Sequence, residues 1–564
     1  MAAVAKIFGA NWRRVALAAL AVFYCYHGHR AVVTLSPTYD EPFHITNGYV
    51  ILKNADYEFG TVWAAPLAEM AAAAPLLFLP KGERPILQVA HPDYRGSRDY
   101  PFADFFFYKN RTSPERMLVL ARRACWWAFL PLLIVALNYL GAALGGSVAF
   151  WSLCLFFTEP NLLAHAALAN ADFASAALYC LSFAAAVLAV RRPSSWAAAG
   201  LGVSLALALT VKYPNALLCF SIAVYLWLER AAIRRNSLRA RHLVLALAGF
   251  VAAFCLVYRG VNVGAYWDGI KYTLTQAREL GRSSFFWGRH STEGRLAYFP
   301  ALVLLKTNLP HLAAAMAGLF LLILRWRREK EPLVLAAIVV PGLHFALAMT
   351  SKVQLGLRYI LPVYPFFILW AGEALSRLEK KKPALVWLCA GGIGLGALSM
   401  HRVSPWLIAY FNEAAGGPAQ SHRYFTDSNN DWGQALGDLA RYVRGQGVGS
   451  IYFSYFGFAD PNHYGLNYIP VGFVSTVARP GNPQHSPLKE SKIYLAVSAT
   501  NYRATYFADR DIFRWLDAVE PEAVFGYSIF LYDLTNKPEA LSRLSGLVQA
   551  AGFPDEARRL RAGR

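Results

Sequence analysis

"RVALAALAVFYCYHGHRAVVTL", residues 14–35, runs directly into "SPTYDEPFHITNGYV", residues 36–50. The first segment is apolar for longer than the core of a cleaved leader and lacks a clean small-residue cleavage site, so it reads as a retained transmembrane span. The second segment then puts two adjacent carboxylates, Asp40 and Glu41, with His44 one turn later, where the chain surfaces from the bilayer.

The rest of the chain extends that reading. Of 564 residues, 56% are hydrophobic and 16% charged, which lies outside the soluble range and marks a membrane protein. The formal charge of +20 does not point to nucleic acid, because the basic residues form short clusters between apolar runs. These clusters are Arg13-Arg14, Arg191-Arg192, Arg230 to Arg241, Arg325 to Lys330 and Arg377 to Lys382, a positive-inside pattern.

Placing every cluster in the cytosol gives spans near residues 14–35, 117–140, 146–158, 173–190, 196–211, 214–228, 243–261, 300–324, 333–350, 359–376 and 384–400. About eleven spans result, against an ideal length of roughly 17 to 25 residues. An odd number puts the amino terminus inside and the tail outside, and makes 36–116 a large first outer loop. That loop is expected to carry amphipathic helices lying along the surface, with a cavity opening toward lipid. All seven cysteines fall in predicted spans, so no disulfide framework is expected outside.

Beyond residue 400 turn residues and shorter elements take over. "GSIYFSYFG" (449–457) and "KIYLAVSA" (492–499) read as strands, and "DWGQALGDLARYVRGQG" (431–447) as a helix ending at glycine. The predicted architecture is an α-helical polytopic membrane protein, with residues 1–400 forming the membrane part and 401–564 a small extracytoplasmic α/β domain. The chain has no Walker loop, CxxC pair, HExxH or internal repeat.

Asp40 followed by Glu41-Pro42 also fits a helix N-cap. A cap accounts for one carboxylate only, and leaves Glu41 and His44 without a reason. A proton acceptor for a hydroxyl at the membrane boundary accounts for Asp40 better. Other ionisable residues sit at the predicted outer ends of spans: Glu159 in "TEPNLLAH", Asp172, Lys212 in "TVKYPN", Lys306 in "LLKTNLP", and Lys352 with Arg358 in "SKVQLGLRY". Charge inside a membrane costs about 2.5–3.5 kcal/mol on insertion scales, so such residues have partners or functions. Lys212 and Lys306 fit snorkelling or structural pairing as well as function. Lys352 and Arg358 share one short outer turn and suit a phosphate. In the tail, Asp427, Asp431 and Trp432 of "DSNNDWGQ" either cap turns or meet a sugar.

Six stretches in this order, "YDEPFHITNGY", "TEPNLLAHAAL", "LTVKYPNALL", "STEGRLAYFPALVLLKTNLP", "SKVQLGLRYILPVYPF" and "YFNEAAGGPAQSHRYFTDSNNDWGQ", resemble the family-39-like glycosyltransferases of the GT-C superfamily. Protein O-mannosyltransferases and aminoarabinose transferases belong there. The resemblance covers the chain to about residue 434 and implies a GT-C membrane enzyme of the bacterial inner membrane. It would pass a sugar from a polyprenyl-phosphate donor to an extracytoplasmic acceptor by inverting displacement. It also implies that Asp40 is the first-loop acid, with Glu41 and Glu159 as supporting carboxylates. Arg358 and Lys352, joined by Lys306 and Lys212, would face the donor phosphate, and His44 and Asp172 would support. Two departures stand out. Glu159 occupies a position where relatives commonly carry Asp, and "WAAPLAE" (63–69) puts Ala64 and Ala65 where many relatives have a polar residue and proline. No metal or other cofactor is required on this reading, although a divalent ion bound at His44 is an alternative. The competing functions are a transporter or flippase of a lipid-linked sugar, which would spread ionisable groups through the membrane depth, and a catalytically silent scaffold.

Overall fold

Long apolar runs can satisfy their backbone groups in lipid only as helices, and helices dominate the first 403 residues. The structure, a computed structural model, describes residues 11–562 apart from 97–98, 236–239, 261, 383 and 473–484. Arg239 of the third basic cluster therefore lies outside the described residues.

Five helices among the described residues are long and apolar enough to cross a membrane: Pro114–Leu144, Ala171–Arg191, Ala240–Val257, Leu309–Glu329 and Pro332–Met349. Ala171–Arg191 is sheathed by its neighbours, whereas Ala240–Val257 exposes Leu243, Val244, Leu247, Val251 and Leu256. Such a row of bare apolar side chains is stable only against lipid, and the chain is an integral membrane protein. Helices Trp12–Thr34, Ser195–Val211, Tyr364–Lys381 and Leu385–Val403 also fall on predicted spans.

Four predicted spans are interrupted instead of continuous. Residues 146–158 form only Val148–Phe156, followed by a short helix Pro160–Ala166 capped by Glu159. Residues 300–324 break between Tyr298–Lys306 and Leu309–Glu329, where Thr307 turns extended ahead of Pro310. The exposed backbone there is bonded by side chains, since Asn161 Nδ2 donates to the Lys306 carbonyl (2.7 Å) and Asn412 Nδ2 to the Thr307 carbonyl (2.9 Å). Residues 213–216 and 357–363 make 3₁₀ turns around Pro214 and Pro362 before helices Leu217–Leu228 and Tyr364–Lys381 begin. Hydropathy does not register these proline breaks, and each one delivers a polar residue to the bundle interior.

The first loop also differs from its expectation. Helix Glu41–Asn54 does not lie along the surface, for every residue from Glu41 to Ile51 except His44 is buried. Helix Pro66–Leu77 packs against it at Gly48, where a Cβ would come within 1.9 Å of the Glu69 carbonyl oxygen. Only glycine permits that approach.

The tail begins with irregular backbone and closes in a sheet. Two short strands, β1 (Ser284–Phe286) and β2 (Arg289–Ser291), form an antiparallel hairpin earlier in the chain. The tail holds β3 (Ser450–Ser454), β4 (Asn467–Pro470), β5 (Tyr494–Ser498), β6 (Ala523–Phe525) and β7 (Ile529–Asp533), in the order β4-β3-β5-β7-β6. β3 runs parallel to β4 and β5, and β7 antiparallel to β5 and β6. Strand side chains alternate faces. Tyr452, Leu495 and Phe530 pack toward helices Pro538–Ala550 and Pro554–Ala562, while Ile451, Phe453 and Ala496 pack toward helix Leu436–Gly445. Coverage on both faces explains why "SIYFS" and "YLAVS" are almost wholly apolar.

The predicted helix from Asp431 starts only at Leu436. Residues 431–435 are drawn instead into contact with the first loop. Ser36 N donates to the Gln434 carbonyl (3.0 Å), Tyr39 N to the Trp432 carbonyl (2.9 Å), and Gly437 N to Ser36 Oγ (2.9 Å).

Candidate active site

Three segments meet at Asp40: the end of the first span, the 3₁₀ turn Leu357–Tyr359 and the tail loop 427–432. Arg358 Nη1 donates to Asp40 Oδ2 at 2.9 Å, with the two side chains 16% and 18% exposed. The Tyr100 hydroxyl lies 3.4 Å from Asp40 Oδ1. Asp40 occupies the N-cap position of helix Glu41–Asn54 without any cap hydrogen bond from its side chain, so its carboxylate faces the site. The Arg358 guanidinium stacks 4.5 Å from the centre of the Trp432 ring, and its buried Nε has no hydrogen-bond partner. Gly356 lets this turn reach the tail, because a Cβ there would meet Ser428 Oγ at 2.4 Å.

Lys212 and Asp172 extend the cluster. Lys212 Nζ lies 2.6 Å from Asp172 Oδ1 and donates to the Arg358 carbonyl at 3.3 Å. His165 Nδ1 is 3.7 Å from the other Asp172 oxygen. Asp427 accepts from Ser428 N (2.5 Å) and from the Tyr506 hydroxyl. Burial pushes its carboxyl above the usual range against the opposing pull of Arg358. Asp431 accepts from Thr500 N at 2.8 Å, and burial pushes it up to about 7. The site thus gathers Asp40, Arg358, Lys212 and Asp172 side by side, with Asp427 close enough to feel Arg358.

Several residues expected here have other partners. Glu41 is fully buried and clasped by Arg122 through Nε (2.7 Å) and Nη2 (2.7 Å), while Thr38 N, Thr38 Oγ1 and Ala169 N also donate to it. Burial alone would raise its pKa, but Arg122 and these donors hold it below the usual carboxylate range. With both oxygens taken, Glu41 fastens the first loop to helix Pro114–Leu144 and has no free face for a substrate. Glu159 caps Asn161 N (3.1 Å), accepts from Asn161 Nδ2 (2.8 Å) and pairs with His311 Nδ1 (3.1 Å). It lines a separate small cavity with Thr307, His311 and Tyr364. Lys306 is buried, and its ammonium donates to the carbonyls of Ile408 (2.7 Å) and Asn429 (2.5 Å). That fastens the broken span to the tail and occupies two of the ammonium's three donors. Lys352 pairs with the exposed Glu293 at 2.6 Å, and the cation that touches the Arg358 turn is Lys212. Trp432 is buried beneath Arg358 and offers its ring to the guanidinium, so it does not stack on a sugar.

His44 Nδ1 lies 2.8 Å from Glu69 Oε1, and Asn47 Nδ2 donates to Glu69 Oε2. Burial pushes Glu69 up to about 7 despite both partners. Sequence reasoning overlooked Glu69, although it ends the "WAAPLAE" stretch whose alanines replace the expected polar residues. Among the described residues no group of three or more His, Cys, Asp or Glu is placed to hold a metal ion.

No family model matches the sequence, and no curated protein matches it. Solved structures do. The chain is similar to ArnT from Cupriavidus metallidurans bound to undecaprenyl phosphate, with TM-score 0.49, 13% identity and coverage of 94% of this chain and 99% of that one. It is also similar to the Archaeoglobus fulgidus oligosaccharyltransferase tethered with an acceptor peptide, with TM-score 0.45, 10% identity and coverage of 92% and 74%.

Proposed function

We propose that this chain is a GT-C-type glycosyltransferase that moves a sugar from a polyprenyl-phosphate donor to an acceptor outside the cytosol. The observation that carries the reading is the Asp40–Arg358 pair, a carboxylate and a guanidinium with an unused buried donor, flanked by Lys212. A phosphate bearing a sugar matches the cations, and an acceptor hydroxyl matches the carboxylate. The sugar and the acceptor, whether protein, lipid or glycan, are left open by this chemistry.

Arg358 receives the donor phosphate by charge-assisted hydrogen bonds, with Lys212 as a second positive charge. The phosphate takes Arg358 from Asp40 and so frees the carboxylate. The acceptor oxygen attacks the anomeric carbon as the bond to phosphate breaks, and that electron pair stays on the phosphate, where the cations offset the added charge. Asp40 takes the acceptor's proton. A single displacement inverts the anomeric centre.

On this reading residues 1–400 are the catalytic membrane unit and 401–564 an extracytoplasmic domain that supplies the loop beneath Arg358. The membrane is the inner membrane of a bacterium, with Asp40 and the tail on its outer side. Clustering of the ionisable groups around Asp40 favours an enzyme over a transporter, whose path would string them through the bilayer.

The test compares lipid extracts from cells with and without the gene by mass spectrometry, then assays the accumulated lipid with purified protein. A polyprenyl-phosphate sugar should accumulate in the deletion and be consumed by the protein when acceptor is present. Absence of both accumulation and transfer would sink the reading.

A further inference from the structure

Asp40 must shed the proton it gains before another turnover, and the residues beside it form a group suited to receive it. His44 lies one helical turn beyond Asp40, with its N–H bonded to the Asp40 carbonyl at 3.0 Å. Positions four apart share one helix face, with Cβ atoms about 5–6 Å apart. The ring is fixed from behind by Glu69 at Nδ1. An ionised Glu69 can only accept, so Nδ1 carries the hydrogen, and in the neutral ring Nε2 keeps its lone pair. Nε2 has no hydrogen-bond partner among the described residues, and the side chain stays 12% exposed. Glu69 itself is buried and has His44 and Asn47 as its side-chain partners, with no cation among them.

We infer that His44 and Glu69 form a proton relay for the proposed transfer, taking from Asp40 the proton that the acceptor has given up. The O–H bond of protonated Asp40 breaks, and an N–H bond forms at His44 Nε2. The resulting imidazolium faces Glu69, and the proton later leaves to solvent from the exposed edge. Nothing is oxidised or reduced. The charges balance in the step: the proton lost by Asp40 restores the anion that pairs with Arg358, and the proton gained turns the buried His44–Glu69 pair from net minus one to net zero, with the neighbouring carboxylates outweighing the desolvation of the imidazolium. Glu69 titrating at about 7 accords with that demand. Charged groups acting on His44 are Glu69 from helix Pro66–Leu77, Asp40 from its own helix and Asp172 from helix Ala171–Arg191, and all three are acids. Gly48 bears on the same point, since the approach it permits is what brings Glu69 to the imidazole.

Glu69 and His44 act through Asp40 and are positioning groups, so the test needs a readout that a purely structural clamp would not move. The inference rests on the glycosyltransferase reading. With wild-type protein and a polyprenyl-phosphate sugar, kcat should show an acidic limb between about pH 5 and 8, where His titrates. Glu69→Gln keeps the hydrogen-bonding shape but removes the anion, so the imidazolium is less stable. The limb should shift to lower pH and the plateau of kcat fall about tenfold, with donor KM unchanged. His44→Gln should abolish the limb and lower kcat about 10²-fold. Unaltered pH profiles in both folded variants, beside an active wild type, would overturn the relay alone. An active wild type without an acidic limb would overturn it whether or not the variants fold. No transfer by wild type from any polyprenyl-phosphate sugar would instead remove the glycosyltransferase reading beneath it.

Discussion

Replacing Asp40 with asparagine should tighten donor binding while it slows transfer. Arg358 Nη1 and Asp40 Oδ2 sit 2.9 Å apart with little solvent between them, so an incoming phosphate competes with a carboxylate for one guanidinium. A hydrogen bond to a charged group contributes about 1.5–3 kcal/mol and a neutral one about 0.5–1.5. Asparagine keeps a hydrogen bond to the charged guanidinium but no counter-charge, so the competition weakens by up to about 1–1.5 kcal/mol, at most close to tenfold in donor affinity. Loss of the base should lower turnover by about 10² to 10⁴. Binding of undecaprenyl phosphate to detergent-purified protein, measured beside single-turnover transfer, gives both quantities. An Asp40→Asn protein that melts like wild type but binds the lipid phosphate equally or more weakly would refute the exchange of partners at Arg358. One that transfers at full rate would remove Asp40 as the base.

Arg358→Ala should weaken lipid-phosphate binding at least tenfold, and Arg358→Lys should restore only part of it, since a single ammonium lacks the fork; the same binding assay checks both. Lys352→Ala should leave donor affinity within about twofold, because its partner Glu293 is 72% exposed and such surface pairs contribute about 0–1 kcal/mol. Glu41→Gln strands Arg122 as an uncompensated buried charge, at a cost of about 3–5 kcal/mol, visible as a lower melting temperature in detergent. Because Glu41 titrates lower folded than unfolded, its contribution is full above the unfolded value of about 4.3 and fades as pH falls through the lower folded value; melting curves at descending pH should show this loss in wild type and not in Glu41→Gln.

Hydropathy and charge clusters made the membrane class legible, and short apolar runs bounded by turn residues made the strands around Tyr452 and Leu495 legible, because burial on both faces demands such runs. Asp40 and Arg358 were legible as candidate residues. Their direct pairing was not, since 318 residues separate them. That Lys212 reaches the Arg358 turn while Lys352 pairs with Glu293 was hidden for the same reason. Lys212, Lys306 and Lys352 all sit within four residues of a proline or glycine at predicted span ends, and what sets them apart is their distant partners: Asp172, the carbonyls of the tail, and Glu293. Glu41 looked reactive because its mate Arg122 is 81 residues away, beside Arg123 inside a predicted span, where the pair drew no notice. Glu69 was hidden by an alanine-rich context that signals packing.

The dependence of Arg358 on the 427–434 loop sets the order in which the protein becomes competent. A chain halted after its last long helix would hold Asp40, Lys212 and Arg358 but lack the indole on which the guanidinium rests and the Asn429 carbonyl that receives Lys306. Ser36 and Tyr39 would likewise wait for Gln434 and Trp432. The cluster around Asp40 is therefore completed only by the final quarter of the sequence, and a nascent or truncated chain is a membrane bundle that holds Asp40, Lys212 and Arg358 without the loop that braces them.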